Sequence, residues 1–206
     1  SDLPVRWFFN DNQMAGKDGY SKHTVNALET VLKEAWEVWS QPSCTSFRQV
    51  YGGRTKQAPY WRDQLVTLYF ATGAECASLG MGLATLAFSV PINDDKGNLR
   101  DGDIIFSPAP GGISWGINPV ANTEVDLLYV ANHEIGHTIG LAHSEKSTAV
   151  MFYQIQGMGP IFKGLFDDDK NAICSIYPIK SGCVKDTDCG TCRSCVQGKC
   201  IAQTIP

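Results

Sequence analysis

His133-Glu134-Ile135-Gly136-His137-Thr138-Ile139-Gly140-Leu141-Ala142-His143 is the stretch on which the reading of this chain turns. On a helix, residues four apart are neighbours with Cβ atoms roughly 5–6 Å apart, so the imidazoles of His133 and His137 converge on one cation. Zinc accepts that geometry, with Zn–N distances of about 2.0–2.1 Å. Glu134 is turned about 100° around the helix, away from the ligand face but within reach of a water at the metal, which makes it the natural base. Gly140 has no Cβ and can take φ > 0, so the chain turns sharply there and His143 swings back as third ligand. Three neutral imidazoles leave a coordination position open, as in a catalytic rather than a structural zinc site. Five specified positions at fixed spacing arise by chance in roughly one chain of this length in a hundred thousand, so coincidence is set aside. The fourth histidine, His23, reads as a first-turn helix residue.

Around this segment the chain alternates in character. Val5 to Asn10 is β-rich, and the residues from Asp11 to Gly19 favour a turn. Val25, Leu28, Val31, Leu32, Ala35, Trp36 and Trp39 recur at helical spacing behind Ser21 as N-cap, and Pro42 stops the helix. Phe47 to Tyr51, Leu65 to Ala71, Gly82 to Val90 and Asp103 to Ser107 read as strands. Ser107 to Val120 is too rich in Gly and Pro for regular structure. Thr123, with Asp126 three residues on, is read as the start of the helix that carries the motif, ended by Gly140. Asp167, Asp168 and Asp169 suit the first turn of a further helix running to about Tyr177. After Pro178 the composition shifts to Cys, Gly, Thr, Asp and Lys. A boundary near Lys180 divides a domain over 1–180 from a small stapled module over 181–206.

The 206 residues suffice for one medium domain with an appendage. No apolar run approaches the ~20 residues of a membrane-spanning helix. A net charge of −4 with no dense Lys/Arg run argues against nucleic acid and anionic membranes as partners. Eight cysteines, five of them between Cys183 and Cys200, read as disulfides and hence as a secreted protein. A metal knuckle or redox pair at Cys189, Cys192 and Cys195 is the competing reading. Setting the tail cysteines and Cys174 apart as a group of six leaves Cys44 to pair with Cys76 by elimination. The polar start at Ser1 reads as a mature form from which any leader or pro-segment is gone.

The extended motif HExxHxxGxxH resembles that of the metzincin zinc peptidases at every specified position. The resemblance implies a methionine turn at Ala149 to Tyr153, with Met151 packed beneath the imidazoles. Tyr153 stands where astacin-like and serralysin-like members carry a tyrosine, which implies a donor to the oxyanion of the tetrahedral intermediate; a plain buried tyrosine is the alternative. Trp39-Ser40 with Phe47, Gly82 to Phe88, Asp103 to Phe106, Ser144, and Asp168-Asp169 through Ile173 to Tyr177 are similar to the matrixin, or matrix-metalloproteinase, branch. The fold implied is α+β: a twisted, mixed, mostly parallel sheet with an antiparallel edge strand and three helices, plus the disulfide-rich tail. Vertebrate matrixins hold a structural zinc through histidines. Here Leu86 and Ile105 stand at those places, so one zinc is expected and no second. Asp94, Asp95, Asp101 and Asp103 are read either as a solvated loop or as a calcium site.

Together these readings imply a secreted, monomeric zinc endopeptidase in which Glu134 is the general base. By the resemblance, an extended peptide lies along the edge strand at Gly82, Leu83, Ala84, Thr85 and Leu86. Ile155, Met158, Ile161 and Phe162 suggest an apolar pocket for the residue after the scissile bond. The competing functions are a non-catalytic binding or adhesion module on the same scaffold and a narrowly specific processing protease or toxin. Retention of Glu134 with all three ligands argues against the first.

Overall fold

The computed structural model describes residues 4–12, 23–57, 59, 63–82, 84–108, 114–119, 123–154, 162, 164–179, 193–196 and 199–202. Strand β1 (Val5–Asn10) buries alternate side chains, with Trp7 and Phe9 inaccessible to solvent. It lies between two parallel neighbours, β2 (Gln49–Thr55) and β3 (Val66–Phe70), pairing Val5 with Gln49 and Trp7 with Val66. Parallel partners need a crossover, and the first is α1 (Val25–Ser40), whose apolar stripe covers one face of the sheet. Trp36 of that stripe stacks on Trp7 at 5.5 Å between ring centroids. Thr24 caps the helix by accepting from the Ala27 amide; the expected cap, Ser21, lies outside the described residues. His23 precedes the helix instead of sitting in its first turn, and its Nε2 is 2.8 Å from the Trp115 carbonyl.

A short helix α2 (Gly73–Ser78), not foreseen from periodicity, follows β3 and is closed by a capping box between Thr72 and Glu75. Strand β5 (Leu99–Phe106) continues the parallel set beside β3, and β4 (Ala87–Asn93) runs antiparallel to it at the edge, giving the order β2-β1-β3-β5-β4. The mixed sheet with an antiparallel edge is as expected. The edge strand, however, begins at Ala87 and not at Gly82, because the preceding carbonyls of Thr85 and Leu86 turn to the Ser107 hydroxyl (2.6 and 2.9 Å).

The Gly/Pro-rich stretch after Ser107 holds a short strand, β6 (Ser114–Gly116), parallel to β7 (Glu124–Asp126). Trp115 draws this segment inward: it is fully buried and donates from Nε1 to the Ser107 carbonyl at 2.9 Å. As a result Thr123 does not open the next helix. That helix, α3 (Leu127–Thr138), starts after Asp126, whose carboxylate accepts from the Leu128 and Tyr129 amides. α4 (Asp167–Ile176) carries three aspartates in its first turn, as read.

Cys44 is bonded to Cys174, with Cα atoms 5.4 Å apart, and not to Cys76. The reason is local pairing: Thr45 bridges Pro178, and the Ser46 amide donates to the Tyr177 carbonyl, which seats the loop after α1 against the end of α4. Cys76 is buried with Tyr69, Ala71 and Ile105, on the face of the sheet opposite the main core. In the tail, β8 (Arg193–Val196) and β9 (Lys199–Ala202) form an antiparallel pair with Cys195 opposite Cys200. Residues 181–192, 197–198 and 203–206 of the expected module lie outside the described residues.

Candidate metal centre

α3 delivers the first two candidate ligands and ends so as to bring in the third. Gly140 adopts φ 103°, the Gly140 amide donates to His137 O (3.0 Å) and the Leu141 amide to Gly136 O (2.8 Å), a paired C-terminal closure that reverses the chain. His143 comes back with its Nε2 at 3.1 Å from that of His137 and 3.3 Å from that of His133; the two helix imidazoles are 3.1 Å apart at Nε2. A tetrahedral ion bound at about 2.0–2.1 Å holds its ligand atoms roughly 3.3 Å apart, so the donor set fits zinc. Among the described residues this triad is the sole cluster of three or more ligand atoms that converge in this way.

The outer nitrogens are committed to the backbone. His133 Nδ1 lies 2.8 Å from Val150 O and His137 Nδ1 2.8 Å from Leu141 O. Donation from Nδ1–H to these carbonyls fixes the tautomer that presents a lone pair at Nε2. Burial lowers the pKa of His133 to about 4 and also depresses that of His137, keeping both neutral, as metal binding requires.

The Val150 carbonyl is itself held. Asp169 of α4 is buried and accepts from the amides of Val150 (3.0 Å), Met151 (3.1 Å) and Phe166 (3.0 Å). Met151 is thereby fixed under α3 against Gly136, where a Cβ would overlap its sulfur and approach Trp39 Cζ2 to 3.1 Å. Tyr177 adds a further tie by donating to Ile139 O at 3.0 Å.

Glu134 is 7% exposed, and burial pushes its carboxyl up to about 7, with Ser89 on β4 pulling the other way. It lines an open cleft of about 1000 Å³ together with the three histidines, Ala84, Thr85, Leu86, Tyr129, Leu141 and Tyr153. Tyr153 is 60% exposed on the wall of this cleft, which removes the reading of a buried tyrosine. Of the remaining candidates, Gly82 is exposed, and Leu83, Ile155, Met158 and Ile161 lie outside the described residues. Phe162 is anchored through its amide to Asp126 Oδ2 at 3.0 Å. Sequence reasoning read Asp126 and Asp169 only as residues of helix starts and passed over Ser89, because their contacts at the site come from elements distant in sequence.

The acidic cluster separates into different roles. Asp94 organises its own turn, accepting from the Lys96 and Asn98 amides (2.9 Å each) and pairing with Arg100 at 2.7 Å. Asp101 and Asp103 are buried on β5 and accept from the backbone of Gly102 and Thr67 (2.7 and 3.1 Å). Leu86 is half-buried beside the cleft, and Ile105 is buried in the smaller cluster with Cys76.

The model of the matrixin family matches residues 16–178. Karilysin of Tannerella forsythia is 29% identical over 154 residues, 75% of this chain and 29% of that protein. Human matrix metalloproteinase-27 is 28% identical over 152 residues, 73% of this chain and 26% of that protein. Matrix metalloproteinase-2 of Drosophila melanogaster is 30% identical over 155 residues, 74% of this chain and 18% of that protein. These matches take in less than a third of each relative's length. With three converging imidazoles, a methionine packed beneath them and a family match over most of its length, this chain belongs to the matrixins, a family of zinc metalloendopeptidases.

Proposed function

We propose that the chain is a secreted, monomeric zinc endopeptidase that hydrolyses extended protein substrates, with His133, His137 and His143 as the metal ligands and Glu134 as the general base. The observation that carries this reading is the triad of Nε2 atoms at 3.1–3.3 Å beside a buried carboxylate in one open cleft. Bound zinc supplies Lewis acidity toward the carbonyl and eases ionisation of water. Glu134 takes the proton of the attacking water and passes it to the departing amine; burial raises its affinity for that proton and so suits it to both tasks. Tyr153, at the cleft wall, donates its phenolic hydrogen to the developing oxyanion.

The sheet edge supports extended binding. Leu86 O accepts from the Ser107 amide at 2.8 Å, so by alternation Leu86, Phe88 and Val90 direct their backbone groups toward β5. The open edge therefore belongs to Ala87 and Ser89, and Pro91, the next outward residue, has no N–H to offer. Substrate pairing is accordingly assigned to Ala87 and Ser89, with Ala84, Thr85 and Leu86 lining the cleft ahead of them. Secretion is supported by the Cys44–Cys174 bond, and no described helix is long and apolar enough to cross a membrane. Residues 181–206 are assigned to a separate stapled unit, on the composition shift after Pro178.

The deciding experiment pairs Glu134→Ala with metal analysis. The variant should hold one zinc per chain while peptide cleavage falls by orders of magnitude; undiminished cleavage would remove Glu134 from the mechanism.

A further inference from the structure

Strand β4 carries a hydroxyl that the assignments above leave without a task. Ser89 is the cross-strand partner of Ile104, and Ile104 is fully buried in the main core. Opposed residues of an antiparallel pair direct their side chains to the same face, so the Ser89 side chain lies on the face covered by α3. Its neighbour Phe88 and the partner Ile105 confirm the alternation by packing into the smaller cluster on the other face. The Ser89 oxygen is closed to solvent and has no hydrogen-bond partner among the described residues. A hydroxyl shut away in this manner is costly unless a polar group comes to meet it.

One buried carboxylate on that side of the sheet, Glu134, lines the same cleft as Ser89. Thr138, one helical turn after Glu134, packs against Gly102, and Ile104, two residues on from Gly102, is the partner of Ser89, so α3 and the sheet bring Glu134 to the level of Ser89. A glutamate has three side-chain torsions, and a base that must meet a water at one place gains from a second contact that selects one rotamer.

We propose that Ser89 is the positioning residue of the catalytic carboxylate: its hydroxyl donates to Glu134 and holds that side chain toward the cleft. A hydroxyl also accepts, so the contact survives when Glu134 carries the proton taken from water, and Ser89 keeps its own hydrogen throughout. This assignment rests on Glu134 being the base.

Two measurements test it. In steady-state cleavage of a peptide by the zinc-loaded protein, Ser89→Ala should lower kcat by about ten- to a hundredfold with KM within about twofold, and Ser89→Thr, which keeps the hydroxyl on a residue suited to a strand, should stay within a few-fold of the parent. Without turnover, a thermal-unfolding cycle of the parent, Ser89→Ala, Glu134→Ala and the double variant should be non-additive by a few degrees. Additive shifts, or Ala and Thr variants that are equally slow, would overturn the proposal. If the zinc-loaded parent cleaves no peptide, the endopeptidase reading fails, and the thermal cycle still decides the contact.

Discussion

Gly136 stands between His133 and His137 of α3, two of the proposed zinc ligands, and replacing it with alanine tests whether the floor of the site is as tightly built as it looks. Alanine is the better helix former by about 1 kcal/mol, so propensity alone predicts stabilisation. The structure predicts the reverse. An added Cβ would overlap Met151 Sδ and stand 3.0 Å from Met151 Cε and 3.1 Å from Trp39 Cζ2, where contacts of about 3.5–4.0 Å are usual. Neither neighbour has room to yield, since both are buried and both are tied: Trp39 Nε1 donates to Asn132 O at 3.1 Å, and the Met151 amide is held by Asp169. Overpacking of this kind costs about 1–3 kcal/mol or more, which exceeds the gain in propensity. A net loss of about 1–2 kcal/mol corresponds to a Tm lower by about 2–8 °C in a domain of this size. Because Val150, next to Met151, supplies the carbonyl bound by His133, zinc affinity should fall about tenfold or more as well. Thermal unfolding of the apo protein and competition for zinc against a chromophoric chelator read the two effects separately. Adding Met151→Ala should relieve the clash and recover part of both losses. A Gly136→Ala protein as stable as the parent and equally avid for zinc would refute the packing argument.

Three further outcomes follow from the geometry. Tyr153→Phe should reduce kcat by about tenfold or more with little change in KM, as measured on a single peptide; an equal loss through KM would assign the hydroxyl to ground-state binding. Asp103 is raised to about 7 by burial, then by Asp101 and Asp63, so its neutral form is the one favoured by folding. The stability this contributes is fully present below the unfolded value near 3.8 and is lost as pH rises through about 7. The Tm advantage of Asp103→Asn over the parent should therefore widen from pH 4 to pH 8, and a pH-independent difference would contradict it. Cys174→Ser should cost about 2–5 kcal/mol in denaturant unfolding, and the difference from the parent should vanish when both are unfolded under reductant.

The convergent histidines were legible because a helix converts spacing into direction: His133 and His137 need only the 3.6-residue repeat, and Gly140 announces the turn that returns His143. Core strands β1 and β3 were equally plain, since dense aromatic and β-branched runs at Val5 to Asn10 and Val66 to Phe70 have few other places to go. What escaped was set by tertiary partners. Thr123 looked like a cap until Trp115 pulled its segment into the core and made Glu124–Asp126 a strand. Helix α2 had a local sign, the capping-box pair Thr72 and Glu75, but six residues are too few to show a period. Counting cysteines by cluster gave Cys44 the wrong partner, because nothing local tells that the end of α4 lies against the loop after α1. Asp169 illustrates the limit for the site itself: its three aspartate neighbourhood suited a helix start, while its grip on the methionine turn exists only once α4 is docked.

The order of strands also governs how this molecule comes into being. Trp7 meets Val66, and Leu68 meets Ile104, so every parallel contact of the main sheet closes a long loop before it yields any packing. Chains dominated by such remote pairings fold on the millisecond-to-second scale, not in microseconds. A cation that recognises only the finished arrangement then pulls the population toward the native state in proportion to its free concentration, so the yield of refolding should climb with added zinc.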